Sequence, residues 1–440
     1  TRQSTWEEAL SLWRRGLAKD PYHVPCWLNR IHALLVLGDR SRAFEDAYAL
    51  LEFLCAEAQD LRPSQLIDVP IWVQSEGFAD PGAYTKHTYL YYLAKWMAAH
   101  IGVVYSPEAM RFWNLAYSIN PDDTQAALAV GVELLSQRKI EGLVPINCVL
   151  SLDPDHQLAG LVKQIAMWEV VHQVRTASLP SQPDLYLDYE NCRLSLEPSF
   201  SSIVTRVLLT QGEWFEEEVD FCRHFLKAGM NVIDVGANVG VYTFLAARRV
   251  GPAGSVIAVE PTTSCIQHLR KTISASSLDN VVSLVESAAG DHEGTVQFQE
   301  ERATVFNSIS DPGPVPEQKS RDKKVVNLTT LDSIWRSKGK PQIDLIKIDA
   351  EGAEEQVISG ALELLTTTQP IVIFENISGS KVTGADTAKV LEPLGYGFYT
   401  YNRFLNKLTK VKPQQYPVSA LNIIAIHPSS LEKVADMIPA

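Results

Sequence analysis

The stretch Val232 to Gly240 (VIDVGANVG) constrains the fold of this 440-residue chain more than any other. Apolar residues on both sides of Asp234 read as a strand covered on both faces, as strands of parallel sheets are. The strand runs into a glycine-rich turn, and Val241 to Arg249 (VYTFLAARR) opens a helix directly behind it. This order makes a binding loop. Gly236 and Gly240 permit a sharp bend and a close approach to a ligand, and the helix start offers unpaired N–H groups. Nucleotide-like cofactors suit such a loop.

Spacing narrows the cofactor. A dinucleotide fingerprint has glycines at the first, third and sixth places; counted from Gly236, those places hold Gly236, Asn238 and Val241. An NAD-dependent enzyme on a related sheet is therefore the disfavoured alternative. A second apolar strand, Ser255 to Glu260 (SVIAVE), ends in an acid 24 residues after Gly236, suited to accept hydrogen bonds from ribose hydroxyls. A third strand lies in Ile343 to Gly352 (IDLIKIDAEG), again with an acid at its carboxyl end, and passes into a helix through Glu351 and Gly352.

Four runs, in order, carry a family resemblance: DVGANVGVYT, the VEP at Val259 to Pro261, the KIDAEGAE at Lys347 to Glu354 and the FEN at Phe374 to Asn376. Over roughly residues 200 to 428 the chain resembles the FkbM family of S-adenosylmethionine-dependent methyltransferases. The resemblance implies an α/β fold, the Rossmann-like doubly wound sheet of class I methyltransferases. It places the cofactor's amino acid tail at the glycine turn of Gly236, Asn238 and Gly240, the ribose on Glu260, and the adenine near Ser287 and Ala288. Asp234 orients the tail's ammonium, directly or through water, or else only ties down the turn. Asn238 has a structural alternative too, since Asn tolerates unusual dihedrals in tight turns.

The alternation of elements in this half supports such a sheet. Strands are predicted at Val232–Val235, Ser255–Glu260, Val281–Ser287, Leu345–Asp349, Ile371–Glu375, Phe398–Tyr401 and Asn422–Ile426, with helices between most of them. Ligands belong at the carboxyl ends of the first and fourth of these strands, where strand order reverses. Asp234, Glu260, Asp349 and Glu375 all sit at or near such ends.

The first 175 or so residues differ in kind. Apolar residues recur at helical spacing in Trp6–Ala18, Trp27–Leu37, Ser41–Leu54, Ala109–Ile119, Thr124–Leu135 and Leu143–Leu152, and turns fall at Asp20-Pro21, Gly38-Asp39, Asn120-Pro121 and Asp153-Pro154. Pro121 and Pro154 lie 33 residues apart, close to the period of tetratricopeptide repeats, which this part resembles apart from Leu61–Tyr105. An all-α helical repeat domain over residues 1–177 is expected, either a cap on the enzyme or a concave groove for a protein partner. The prolines and small polar residues of Ser178 to Asp184 mark a linker. The methyltransferase domain then runs over residues 184–440.

Composition bounds the remaining possibilities. Hydrophobic residues at 46% and charged residues at 21% are ordinary for a globular chain of two or three domains. No run approaches the roughly 18 to 20 apolar residues of a membrane span. The terminal TRQSTWEEAL is amphipathic and acidic, unlike a signal peptide, so a cytoplasmic enzyme is expected. A net charge of −13 argues against nucleic acid as a partner. The six cysteines contain no C-x-x-C pair, which fits a reducing compartment and offers no zinc motif.

For the chemistry, a methyl acceptor needs alignment and, if it is an alcohol, a base. Asp349 is the best-placed base or metal ligand, with Glu375 the second catalytic candidate. Together with Asn376 they form an oxygen-rich set of the kind magnesium takes. His224 and His292 are alternative bases, each better read as a surface or packing residue. Glu351 is expected to cap the following helix, and Lys347 to point to the face opposite Asp349. The irregular segment Glu300–Lys324 is expected near the acceptor. The expected function is O-methylation of a hydroxyl on a sugar or secondary metabolite; a catalytically idle interaction protein is the other alternative.

Overall fold

A computed structural model of the protein describes residues 2–20, 23–39, 42–43, 45–50, 91, 93–95, 97–99, 106–171, 183–299, 323–376, 384–403, 405–413, 416 and 420–438. Most of the irregular stretch after Leu61, the 178–182 part of the expected linker and the segment 300–322 lie outside them. The chain forms two compact units. One comprises residues 1–180 with Val207–Gln211, the other Ser181–Arg206 with Gly212–Pro439.

The first unit is helical throughout its described residues. Helices at Arg2–Lys19 and Val24–Val36 pack against each other, and those at Pro107–Ile119, Thr124–Ser136, Leu143–Leu152 and Gln157–Ala166 each pack on the next. Their starts follow local capping chemistry: the Ser106 hydroxyl accepts from the Ala109 N–H, and an Asp123 carboxylate oxygen from the Ala126 N–H. The other Asp123 oxygen accepts from the Tyr91 hydroxyl at 2.6 Å and from Lys95 Nζ at 2.8 Å. Trp113, Ile31, Leu34 and Leu93 are fully enclosed in one apolar cluster.

The second unit opens with a hairpin, β1 (Leu185–Tyr189) and β2 (Cys192–Leu196), turned by Glu190 and Asn191 in left-handed conformations. The main sheet follows: β3 (Asn231–Val235), β4 (Ser255–Val259), β5 (Val282–Val285), β9 (Leu345–Ile348), β10 (Ile371–Glu375), β11 (Gly397–Asn402), β12 (Lys407–Val411) and β13 (Asn422–Ile426). A smaller sheet joins β6 (Ala288–Ala289), β7 (Gly294–Gln299) and β8 (Lys323–Thr329). Across the main sheet the order is β12-β11-β13-β10-β9-β3-β4-β5. The first and fourth expected strands, β3 and β9, are therefore neighbours, and strand order reverses between them.

The sheet is mixed. β5, β4, β3, β9 and β10 are parallel, but β13 is antiparallel to β10, and β11 lies antiparallel to both β13 and β12. Only four residues separate β11 from β12, too few for the dozen or more that a parallel crossover takes. One face of the sheet is apolar at its centre: Ile233, Ile257, Ile346, Ile348 and Phe374 pack on Trp335, Ile358, Leu365 and Leu391 of the helices. The opposite face carries Asp234 and its register partner Lys347. Among the described residues no helix is long and apolar enough to cross a membrane.

Candidate functional site

The turn after β3 is built on backbone that only certain residues adopt. Gly236, Asn238 and Gly240 have φ of 74°, 51° and 100°. A Cβ at position 236 would lie 1.8 Å from the carbonyl oxygen of Asp349, and one at 240 would lie 2.2 Å from the Phe244 ring. The close approach expected at Gly236 is thus made to the protein's own chain at the exit of β9. Asn238 fills a left-handed position that Asn tolerates better than most residues. The helix Val241–Val250 begins without a side-chain cap, so its first N–H groups face the turn unshared with a cap.

Two carboxylates brace this turn. Asp234 is buried, and its Oδ2 accepts from Thr243 Oγ1 at 2.5 Å. Burial raises its pKa to about 6 against the opposing pull of the Thr243 bond and Lys347. Glu260, at the end of β4, accepts from the Asn238 N–H on Oε2 and from the Thr262 N–H on Oε1, both at 2.8 Å. Burial raises this carboxyl too, with those bonds opposing. Thr262 adds a side-chain hydrogen bond to the same carboxylate. Beside it at the end of β5, buried Ser287 donates to the Ala288 carbonyl at 2.8 Å, and the Glu260 N–H donates to the Val285 carbonyl at 3.0 Å.

On the other side of β3, Asp349 leaves β9 with its N–H donating to the Val235 carbonyl at 3.0 Å and its side chain half-buried. Lys347 does not point away from it. Residues two apart on a strand share a face, and Lys347 Nζ lies 3.5 Å from Asp349 Oδ2. Nor does Glu351 cap the next helix. It sits in the turn at φ 52°, and Glu354 accepts from the Ala350 and Gly352 N–H groups at 2.9 and 3.2 Å. Glu375 ends β10, its pKa raised by burial and by the Asp349 carboxylate.

Asp349 and Asn376, two of the residues read as an oxygen-rich set for magnesium, have partners within the protein. Asn376 spends its amide N–H on the Ala420 carbonyl at 2.9 Å, and a cation, the Lys347 ammonium, already stands against Asp349. Among the described residues no group of three or more His, Cys, Asp or Glu side chains is placed to hold a metal ion. His224 bonds the Asp220 carbonyl of its own helix and His292 pairs with Asp291, both exposed.

Sequence reasoning missed a buried polar cluster beneath Asp349. Lys347, 1% exposed, donates to Asn422 Oδ1 at 3.0 Å and lies 5.2 Å from the centre of the Tyr242 ring. The Asn422 amide donates to Glu216 Oε2 at 3.0 Å and to Glu218 Oε2 at 3.2 Å, and the Tyr242 hydroxyl donates to Glu216 at 2.6 Å. Burial opposes the Lys347 ammonium, yet Asp349, Glu216, Glu375 and Asp234 outweigh it and hold its pKa above the ordinary value. Glu218 is pushed up to about 8, by burial first and then by Glu216 and Glu217. A lysine within an apolar strand was the available signal.

Residues 234–398 match the methyltransferase FkbM domain. The match begins at Asp234 and takes in Glu260, Asp349 and Glu375. A curated relative, methyltransferase sdnD of Sordaria araneosa, is 26% identical over 164 residues, 30% of this chain and 60% of that protein's length. The FkbM methyltransferase structure from Methylobacillus flagellatus aligns with a TM-score of 0.30 and 14% identity over 61% of this chain and 60% of its own. Fibrillarin of Aeropyrum pernix, solved with S-adenosylmethionine, aligns with a TM-score of 0.29 and 9% identity over 47% of this chain and 72% of its own.

Proposed function

We propose that the chain is an S-adenosylmethionine-dependent methyltransferase acting on a hydroxyl of a small molecule, a sugar or secondary metabolite. The observation that carries this reading is the pairing, at one reversal of strand order, of a glycine turn clamped by Glu260 with an acid-bearing exit at Asp349. The site residues fit the cofactor. The uncapped helix start suits the tail's carboxylate, Asp234 its ammonium, and the Glu260 carboxylate the ribose hydroxyls, with Ser287 and Ala288 beside the adenine.

Bound S-adenosylmethionine supplies an activated methyl group on a sulfonium. In methyl transfer an acceptor oxygen lone pair would form the new C–O bond while the C–S bonding pair would stay on sulfur. Asp349 takes the acceptor's proton. An ordinary carboxylate, with a pKa of about 4, is a weak base for an alcohol, so its proton transfer comes late, once the developing oxonium is strongly acidic. Glu375 lines the acceptor side as a neutral carboxyl able to donate a hydrogen bond.

We also propose that residues 1–177 form a tetratricopeptide-like domain that recruits a protein partner or orients the acceptor, with residues 184–440 as the catalytic domain. The successive packing of its helices supports this. The test is calorimetry with S-adenosylmethionine, followed by mass spectrometry of small-molecule extracts incubated with the chain and methyl-labelled cofactor. Cofactor binding and a labelled hydroxyl product are expected. No binding ends the methyltransferase reading, and label on nitrogen or carbon ends the O-methyl reading.

A further inference from the structure

Lys347 is unusual on several counts at once. It sits inside a parallel strand, it is among the largest fully enclosed side chains, and polar groups reach it from several elements. Asp349 follows it on β9, Asp234 faces it from β3, and Glu375 from β10. Glu216 and the helix residue Glu218 approach from below through Asn422 of β13, and Tyr242 offers its ring from the helix Val241–Val250. Cys222, one turn beyond Glu218, is buried beside the same group, its thiol pushed up by burial and by Glu218. An enclosed ammonium is costly unless carboxylates compensate it. Here they outnumber it, and the hydrogen bond from Lys347 to Asn422 fixes where it points.

We propose that Lys347 is the built-in cation of the acceptor site: a positioning residue that orients the Asp349 carboxylate and supplies the positive charge a bound metal ion would otherwise bring. The inference rests on Asp349 being the acceptor-side base. Asn422 and Tyr242 hold the ammonium in place, and Glu216, bonded to both, faces it from below. Asp349 thereby stands beside a cation that cannot diffuse away. A second cation at the same carboxylates would be repelled.

The test is a pH titration of protein labelled with carboxyl-carbon-13 aspartate, the Asp349 signal being identified by its loss in Asp349→Asn. In Lys347→Met, which keeps the stem and removes the charge, the midpoint should rise by about one to three pH units. Lys347→Arg should bring it back toward wild type. Should Lys347→Met fail to fold, Lys347→Met with Glu218→Gln removes one carboxyl along with the ammonium, and the same rise is expected. Manganese should leave the Asp349 signal of the wild-type chain unbroadened. An unmoved midpoint in a folded variant, or broadening by manganese in the wild type, overturns the proposal. Failure of S-adenosylmethionine to bind in calorimetry would sink the methyltransferase reading and leave this titration readable.

Discussion

The two sides of β3 hold their carboxylates by different means. Toward β4, Glu260 is gripped by the backbone N–H groups of Asn238 and Thr262, so its position is part of the fold's own hydrogen bonding. Toward β9 and β10, Asp349 is accompanied by a lysine side chain, and Glu375 lies in a field of like charge. Backbone donors cannot titrate or be substituted, whereas side-chain charges can. The grip on Glu260 is thus part of the main chain, and the company of Asp349 is the part that substitution can change.

The sharpest way to break this contrast is to disturb the place where the two sides meet. Gly236→Ala puts a Cβ 1.8 Å from the Asp349 carbonyl oxygen at a φ of 74°, and should cost about 3 kcal/mol or more, read as a lowered urea midpoint. A midpoint like wild type would mean that the two exits are not locked.

Next in size, Asp349→Asn should lower turnover by about 10²-fold or more while cofactor affinity barely changes. Full turnover on the true acceptor would remove Asp349 from the chemistry. The cofactor side is probed by Glu260→Ala, which should weaken S-adenosylmethionine binding by about 1.5 to 3 kcal/mol in calorimetry. Glu375→Gln should leave that affinity alone, and equal losses in the two variants would erase the distinction between the sides.

A further effect is one of pH. Folding raises the Glu218 pKa from 4.5 to about 8, so the folded chain binds that proton more tightly than the unfolded one. The resulting stability is complete below about pH 4.5 and is lost as pH rises through about 8. Glu218→Gln should flatten thermal stability across that window. A slope identical to wild type would show that other groups set it.

What was legible in the sequence follows the same division. β3, β4, β9 and β10 are largely apolar runs with an acid inside or just after them, and their alternation together with the family resemblance pointed to Gly236, Asn238, Gly240, Glu260 and Asp349. β7 and β8 went unread because they bury little: Val325 is 68% exposed, and the run KKVVNLT shows no clean alternation. Lys347 was misplaced although the period of two puts it on the face of Asp349. Glu216, Glu218 and Asn422 were invisible for another reason: Asn422 meets them across 206 and 204 residues of chain, a pairing that only the antiparallel entry of β13 creates. Glu354 took the bonding role expected of Glu351 because the left-handed turn at 351 and 352 brings two N–H groups within its reach.

The missing side chain at position 236 has a mechanical consequence. The glycine turn and the β9 exit touch through main chain alone, without any rotamer to absorb a shift. A ligand pressing on the carbonyl of residue 349 therefore moves the cofactor turn by nearly the same amount, and a ligand settling in the turn stiffens the β9 exit. Whatever ordering the first ligand has already imposed, the second need not impose again. With the ligands proposed above at the two exits, linkage would make the gain mutual.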